Sequence, residues 1–462
     1  MSITLDEKLT KFGTRFLLYP QFSFRKELRP DVVYISIPKE IIKEGPSDDR
    51  LYVVRAKGKD KYSGTVFPPY NGPQDLGVKA GPDGHFDHLN LDDPGFDCAS
   101  MYASVRRILD IWEDYFGHAI YWFFSPMFPR LELIPNVLFS NAQAGYGYIE
   151  FGFQKKGEGF DTDQPLCRNF DIIAHEFGHI LIYSIVQIPK DNPYTNVYYR
   201  ALHESFADMI AIVSSLHFES VIDYLMKTTM GNLFSVNILE RIGDLADDKQ
   251  LRNAFNDKKM SDVSTQPHEL SLPLTGAIFD IFVEIFQTKL LEKSLISAQL
   301  ARRASFDISK QQDGSLLKEE FEKCYKGNEE LFKRCLMESR DYLGLLIAKT
   351  LSGFDPHLMT FYTVFDKIMR ADIQLKENYQ QLIRDCFFWR EIGNLPPEAY
   401  VNSFSFHNCQ CPPDEKKPDQ KMIRDLTQAL EHCKANRQPS YEMKILKGAL
   451  NKVFRKPRFR KS

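Results

Sequence analysis

Two histidines four positions apart, with a glutamate directly after the first, stand in the segment DIIAHEFGHILIY. Residues i and i+4 of an α-helix lie on one face, so the imidazoles of His175 and His179 can reach a single ion. Glu176 would then point toward the water on that ion and act as its general base. The H-E-x-x-H motif alone leaves a second interpretation open, an amphipathic core helix whose histidines are only hydrogen-bonded.

A third metal donor is needed, because catalytic zinc sites normally combine three protein ligands with one position left for water. The segment ALHESFADMIAIVSSL places Glu204 and Asp208, again four residues apart, on the face of an otherwise apolar helix. Two carboxylates on such a face cost free energy unless they are paired or bind metal. We therefore expect Glu204 to complete a site for one Zn²⁺ ion and Asp208 to accept the free N–H of a ligand histidine. The alternative is that both carboxylates face solvent, and the role of the neighbouring His203 is left open.

The order DIIAHEFGH and then HESFAD resembles the zinc-binding helix and the downstream Glu-x-x-x-Asp helix of thermolysin-like zinc metallopeptidases, in the gluzincin clan. Upstream, Asn141 and Ala142 in SNAQAGYGYIEFGF are similar to the start of the edge strand with which that family binds the substrate backbone. The resemblance covers roughly residues 95 to 285 and, more loosely, a helical continuation to about residue 395. It is nearest to uncharacterised bacterial members, and it does not tell us their substrates.

The resemblance implies a mechanism in which zinc polarises the scissile carbonyl while Glu176 moves a proton from water to the leaving amine. The family binds the oxyanion with a histidine placed just before a later helix, and PHELSLPLTGAIFDIFVEIF offers His268 in that setting. A place in a surface turn is the alternative for this histidine. A second donor could be Tyr194, Tyr198 or Tyr199, and the sequence does not choose among them.

The pattern along the chain predicts an α+β fold. Short β-like runs alternate with turns over residues 1–80, which we interpret as a small β-rich N-terminal region. The resemblance implies a thermolysin-like, two-lobed catalytic domain over 81–305, and the pattern predicts a helical C-terminal extension with a basic tail over 306–462. Within the catalytic domain we expect a helix in CASMYASVRRILDIWEDYFG, strands in YWFF, LELIPNVLF and YGYIEFGF, and mainly helices from about residue 168.

Composition narrows the class of protein. The 462 residues, 43% of them hydrophobic, can bury a large core, and a net charge of −3 gives no reason to expect nucleic acid as a partner. The N-terminus lacks a basic stretch followed by an apolar one, and no run of 18 apolar residues suggests a membrane span. The eight cysteines are scattered, as reduced thiols are. We expect a cytoplasmic protein that acts on a peptide or protein, whose oligomeric state the sequence leaves open.

Endopeptidase action is the leading function, with three rivals. An aminopeptidase of the same clan would need an acidic anchor for the free amine of its substrate, and the chain has no Gly-x-Met-Glu-Asn string. A non-catalytic zinc-binding scaffold would be expected to lose Glu176. A protease that cuts one specific partner, recognised through the C-terminal extension, is the third. The calcium-binding carboxylate clusters of thermolysin are not recognisable, so we predict no structural calcium.

Overall fold

The computed structural model is α+β, as the sequence predicts. It describes residues 5–21, 28–63, 67–189, 197–235, 241–242, 252–253, 256–304 and 314–393. All of these except Val197 belong to one compact unit. Tyr194 and residues 394–462, which include the predicted basic tail, lie outside the described residues.

The N-terminal region contains helix α1 (Leu5–Leu9) and an antiparallel pair of strands, β1 (Thr14–Leu18) and β2 (Asp31–Ile35). Strand β3 (Leu51–Val53) follows. The burial of β1 alternates along the strand, as expected when one face of a sheet covers a core. That core is formed by the predicted helix, which the structure confirms as α2 (Phe96–Phe116) and which packs against β1 and β2.

The segment after Asn141, predicted as an edge strand, belongs to a four-stranded sheet. Strands β4 (Leu131–Ile134), β5 (Ala142–Gly145) and β6 (Tyr148–Phe151) join β3 in the order β3-β4-β6-β5. The pairs β3/β4 and β4/β6 are parallel, whereas β5 runs antiparallel to β6 and lies at the edge. Since β3 comes from the predicted N-terminal region and β4 from the predicted catalytic domain, one sheet contains strands of both.

The prediction of a strand at YWFF is wrong, because residues 121–124 lie in a turn region that continues to residue 127. The N–H of Ser125 donates to the carbonyl of Trp122, and that of Met127 to the carbonyl of Phe124, so the backbone closes its hydrogen bonds locally. Three of the aromatic side chains that suggested a strand instead pack against one another, and Trp122 also packs against Phe177 of a later helix, whereas Tyr121 is exposed.

The remaining strands form two antiparallel pairs, β7 (Phe153–Lys156) with β8 (Gly159–Pro165), and β9 (Arg241–Ile242) with β10 (Arg252–Asn253). The helices that follow are α3 (Phe170–Val186), α4 (Val197–Ser215), α5 (Glu219–Thr229), α6 (Pro267–Glu292), α7 (Ala298–Arg303), α8 (Gly314–Tyr325), α9 (Glu329–Leu351), α10 (Phe361–Leu375) and α11 (Gln380–Trp389).

The later helices pack against the helices that hold the site. Helix α9 contacts α2 and α6, and α11 contacts α6. Just past α11, Arg390 forms a fully buried ion pair with Asp280 of α6, with Nη2 and Oδ2 2.7 Å apart. The same guanidinium donates to Asn256 and to the carbonyl of Lys258, so it also fixes the segment that leads into α6.

No single helix among the described residues is long and apolar enough to span a membrane. Helices α4 and α5 pass the length and composition test only as a pair, with a bend of 94° between them.

Candidate metal centre

Helix α3 presents both histidines of the motif to α4. It begins after Asn169, whose side chain accepts the N–H of Ile172 and so caps the first turn. The rings of His175 and His179 lie 4.8 Å apart between centroids. Between them, Gly178 faces Ala207 of α4 so closely that an added Cβ would lie 3.0 Å from its Cα. A glycine at this point therefore lets the two helices approach each other.

Helix α4 supplies the third donor. The Nε2 atom of His175 lies 3.4 Å from Oε2 of Glu204, and Nε2 of His179 lies 4.0 Å from Oε1. One ligand atom from each of the three residues falls within 4.8 Å of the others. These separations exceed a normal N–H···O hydrogen bond, and zinc bonds of about 2.0–2.2 Å to nitrogen and oxygen suit such a spacing. Two imidazoles and a glutamate are also a donor set of catalytic zinc sites, so the residues fit the ion.

The buried Asp208 orients the first histidine. Its Oδ1 atom lies 2.9 Å from Nδ1 of His175. A carboxylate accepts, so Nδ1 carries the hydrogen and the lone pair of the imidazole is on Nε2, the atom that faces Glu204. The two carboxylates on one face of α4 therefore have different partners. Glu204 faces the Nε2 atoms of the two histidines, and Asp208 holds the hydrogen of His175 on Nδ1.

His203, the residue before Glu204, is buried in an aromatic environment. Its ring lies 5.8 Å from that of His179, nearly parallel to it, and 4.3 Å and 4.6 Å from the rings of Tyr183 and Tyr199. Burial, and then the neighbouring His179, lower the pKa of His203 well below its ordinary value, so the ring is neutral. Among the described residues, neither of its nitrogens has a hydrogen-bond partner.

The predicted oxyanion donor also reaches the centre. His268 lies in the first turn of α6, which begins at Pro267, rather than before the helix. Its Nδ1 atom is 3.4 Å from Oε2 of Glu204, and 64% of its side chain is exposed. The hydroxyl of Ser205 donates to the carbonyl of Ser271 at 2.9 Å and so joins α4 to this turn. The contact of α6 with α4 thus brings an exposed imidazole to the carboxylate of Glu204.

Other predicted residues surround the centre. Glu176 is half-buried on α3, and its role as a base stays a prediction. Asn141 is exposed directly before β5, and Ala142 is the first residue of this strand, which packs against α3. Tyr199 is buried and donates its hydroxyl to the carbonyl of Gln187.

Sequence reasoning missed a group of aromatic side chains near the metal centre. Tyr183 lies one helical turn after His179, and its ring is 5.1 Å from that of Phe123. Phe123 in turn is 5.3 Å from Tyr146, the residue that follows β5. A usable signal was present, since Tyr183 continues the i, i+4 series of the two histidines and Tyr146 directly follows the predicted edge strand.

No family model matches this chain. No curated protein matches it either.

Proposed function

We propose that this protein is a zinc-dependent endopeptidase of the thermolysin-like, two-lobed kind, with the metal between a lobe that carries β5 and a lobe formed by helices. The observation that supports this most is the convergence of His175, His179 and Glu204 from two helices, with ligand atoms within 4.8 Å of one another. The cytoplasm is the proposed location, which agrees with free thiols at the five cysteines of the described residues. The proposed substrate is a peptide or protein.

A Zn²⁺ ion held by these three residues would polarise the scissile carbonyl and lower the pKa of water at the site. The chain provides the rest of the chemistry. Asp208 keeps the hydrogen of His175 on Nδ1, so that Nε2 stays available as a donor. A ligand held in one tautomer and one orientation does not have to reorganise during each turnover.

Glu176 is the proposed general base and acid. Its carboxylate takes one proton from the attacking water as the new C–O bond forms. The same proton then passes to the amide nitrogen as the C–N bond breaks, which lets the amine leave neutral and returns Glu176 to its ionised form. Glu176 directly follows His175 in α3 and is half-buried, so its carboxylate is near one proposed metal ligand and also accessible to solvent.

His268 is the proposed donor to the negative oxygen that develops on the substrate. Its Nδ1 side faces Glu204 at 3.4 Å, which leaves Nε2 for the substrate, and most of its side chain is exposed. A preorganised donor of this kind is worth about 2.7–4 kcal/mol of transition-state stabilisation in enzymes where one has been removed.

Strand β5 is the proposed docking edge for the substrate backbone. One edge of this strand pairs with β6, and its other edge pairs with no described strand. A peptide could therefore add to the sheet by hydrogen bonds to β5, beginning at Asn141 and Ala142, and would then lie along α3.

The experiment that tests this function compares wild type with Glu176→Gln on a complex peptide mixture, with new termini read by mass spectrometry. A chelator and a measurement of bound zinc accompany it, and Glu319→Gln, an exposed glutamate on α8, is the matched control. We expect internal cuts that disappear with Glu176→Gln and with the chelator but persist in the control.

Other results would replace the proposal. Removal of single N-terminal residues would establish an aminopeptidase. Zinc bound without any cleavage would favour a scaffold, or a protease restricted to one partner. Absence of bound zinc in the wild type would contradict the metal centre itself.

A further inference from the structure

Four partly exposed aromatic side chains lie together at the end of β5: Phe123, Phe128, Tyr146 and Tyr183. We call them the aromatic cluster. The ring of Tyr146 lies 5.3 Å from that of Phe123 and 5.9 Å from that of Phe128. Phe123 also lies 5.1 Å from Tyr183. Centroid separations of about 4.5–7 Å are those of aromatic pairs in contact, so the four rings form one continuous group.

The cluster is fixed to the helix that carries the histidines. The N–H of Phe123 donates to the hydroxyl of Ser184 on α3 at 3.3 Å. Beside it, the buried Trp122 packs edge-on against Phe177 of the same helix and carries the guanidinium of Arg50 on its face, 4.4 Å from the centroid. These contacts hold the turn against α3, so Phe123 keeps its position when a substrate binds.

The cluster is continuous with the metal centre. Tyr183 lies four residues after His179 and therefore on the same face of α3. Its ring is 4.3 Å from that of His203, which precedes Glu204 in sequence and lies 5.8 Å from His179. At the other end, Tyr146 directly follows the proposed docking strand. The rings thus extend from the metal ligands to the point where β5 ends.

A peptide paired with β5 would pass over these rings. Antiparallel strands run in opposite directions, so a peptide paired antiparallel to the free edge of β5 brings its N-terminal part to the end of the strand near Tyr146. Covering partly exposed aromatic surface with an apolar side chain is favourable, because it removes apolar area from water. A charged side chain placed there would lose hydration, which costs free energy. The occupant that fits is therefore a bulky apolar side chain that precedes the scissile bond.

We propose that the aromatic cluster is a specificity site, which binds a bulky apolar or aromatic side chain of the peptide substrate on the N-terminal side of the cut. This inference rests on the proposed peptidase function. It makes Phe123 and Tyr146 specificity-determining residues, since they occupy the middle of the cluster. Phe123 contacts Tyr183 at one end, and Tyr146 contacts Phe128 at the other.

The test uses peptides that differ only at the positions preceding the cleaved bond, where Phe, Leu, Ala, Asp and Lys are compared by kcat/KM. The proteins are wild type, Tyr146→Ala, the milder Phe123→Leu and the control Phe12→Ala, which removes an exposed ring outside the cluster. Thermal unfolding and bound zinc are measured for each. We expect wild type and the control to prefer Phe or Leu over Ala by roughly tenfold or more at one position.

In Tyr146→Ala the ratio of kcat/KM for the Phe or Leu peptides to kcat/KM for the Ala peptide should fall by roughly tenfold, and in Phe123→Leu it should be intermediate. A wild type that cuts without such a preference, or a preference that survives both substitutions, would overturn the specificity site and leave the peptidase function standing. A preference confined to the C-terminal side of the cut would overturn it as well. If no variant or wild type cuts any peptide, the proposed function fails, and the specificity site with it.

Discussion

Two regions of this protein bury glutamates next to polar partners, and they do so in opposite ways. In the metal centre, Glu204 is 15% exposed, and imidazole nitrogens of His175, His179 and His268 lie 3.4–4.0 Å from its oxygens. In the four-stranded sheet, Glu150 of β6 is fully buried and accepts from Lys59 at 2.5 Å, from Gln143 at 2.6 Å and from the N–H of Tyr62 at 2.7 Å.

The neighbouring glutamate of β4 repeats the second arrangement. Glu132 is buried and accepts from the hydroxyls of Tyr52 and Tyr62 at 2.8 and 2.7 Å and from the N–H of Tyr70 at 2.8 Å. Burial first, and then Glu132, raise the pKa of Tyr62, so its hydroxyl keeps the proton that it donates. Both sheet glutamates therefore tie the segment that precedes α2 to the strands.

The difference is between a carboxylate that is satisfied by donors within the fold and one that faces the candidate metal-binding histidines. In the sheet, donors at hydrogen-bond distance surround each carboxylate, which offsets the cost of burial. In the metal centre, the imidazole nitrogens of His175, His179 and His268 lie 3.4–4.0 Å from the oxygens of Glu204, which is longer than a good N–H···O hydrogen bond and suits an ion held between them. The first arrangement should fail in stability when it is changed, and the second in metal binding and catalysis.

The largest effect is expected for Glu204→Gln. Loss of a ligand carboxylate should remove zinc and lower kcat/KM on the order of 10⁴-fold, because the ion contributes several kcal/mol to the transition state. Metal analysis and peptide assays measure this, with Glu150→Gln as the opposite member of the comparison. Glu150→Gln should keep its zinc and lose stability, so a Glu204→Gln protein with full zinc content would remove the distinction.

Lys59→Met tests the structural side. It leaves the carboxylate of Glu150 buried without its cation, and breaking a buried pair in this way costs about 3–5 kcal/mol of the free energy of unfolding. Urea unfolding measures the loss. Lys57→Met, which breaks an exposed pair with Asp75, is the control and should cost less than about 1 kcal/mol. Equal losses in the two variants would mean that burial does not set the strength of the Lys59 pair.

Asp208→Asn sharpens the comparison within the metal centre. The amide keeps the shape of the side chain but loses the charge that holds the hydrogen on Nδ1 of His175, so zinc affinity should fall about 10–100-fold. Competition with a chromogenic chelator gives the affinity, and Asp92→Asn, at an exposed position, is the control. Unchanged affinity would assign Asp208 to packing alone.

The smallest effect concerns a third kind of buried carboxylate. Burial first, and then Asp280 and Asp385, raise the pKa of Glu284 on α6 to about 7 from an ordinary value of 4.5. The folded state therefore holds a proton that the unfolded state releases, and the stability contributed by Glu284 falls as pH rises from about 4.5 to 7.

Glu284→Gln removes that titration. The variant should gain about 1–2 kcal/mol relative to wild type as pH rises through this window, with no further gain above it. Unfolding at a series of pH values measures the gain, and Glu292→Gln, at the exposed end of α6, is the control. A pH-independent difference between Glu284→Gln and wild type would contradict the raised pKa.

Much of the site was predictable because it depends on local geometry. A spacing of four residues on a helix places His175 with His179, and Glu204 with Asp208, wherever the helices lie. Helix α2 followed in the same way from its apolar spacing, and the structure confirms it. The α+β class also followed from local patterns.

Other features depend on elements that are distant in sequence. That Glu204 rather than Asp208 faces the histidine Nε2 atoms depends on how α4 is rotated against α3, where Gly178 lies close to Ala207. His268 reaches Glu204 only because α6 packs on α4. No pattern within either segment contains that information.

The sequence by itself determined the α+β class and the faces of the helices that bear the metal donors, because both are properties of short segments with a fixed period. Tertiary structure alone decided that YWFF lies in a turn region where Phe123 meets Tyr146 and Tyr183, and that hydrogen-bond donors surround Glu132 and Glu150 while Glu204 faces imidazole nitrogens. Each of these outcomes depends on which distant groups lie within hydrogen-bond or van der Waals distance, and that is settled only when the elements pack.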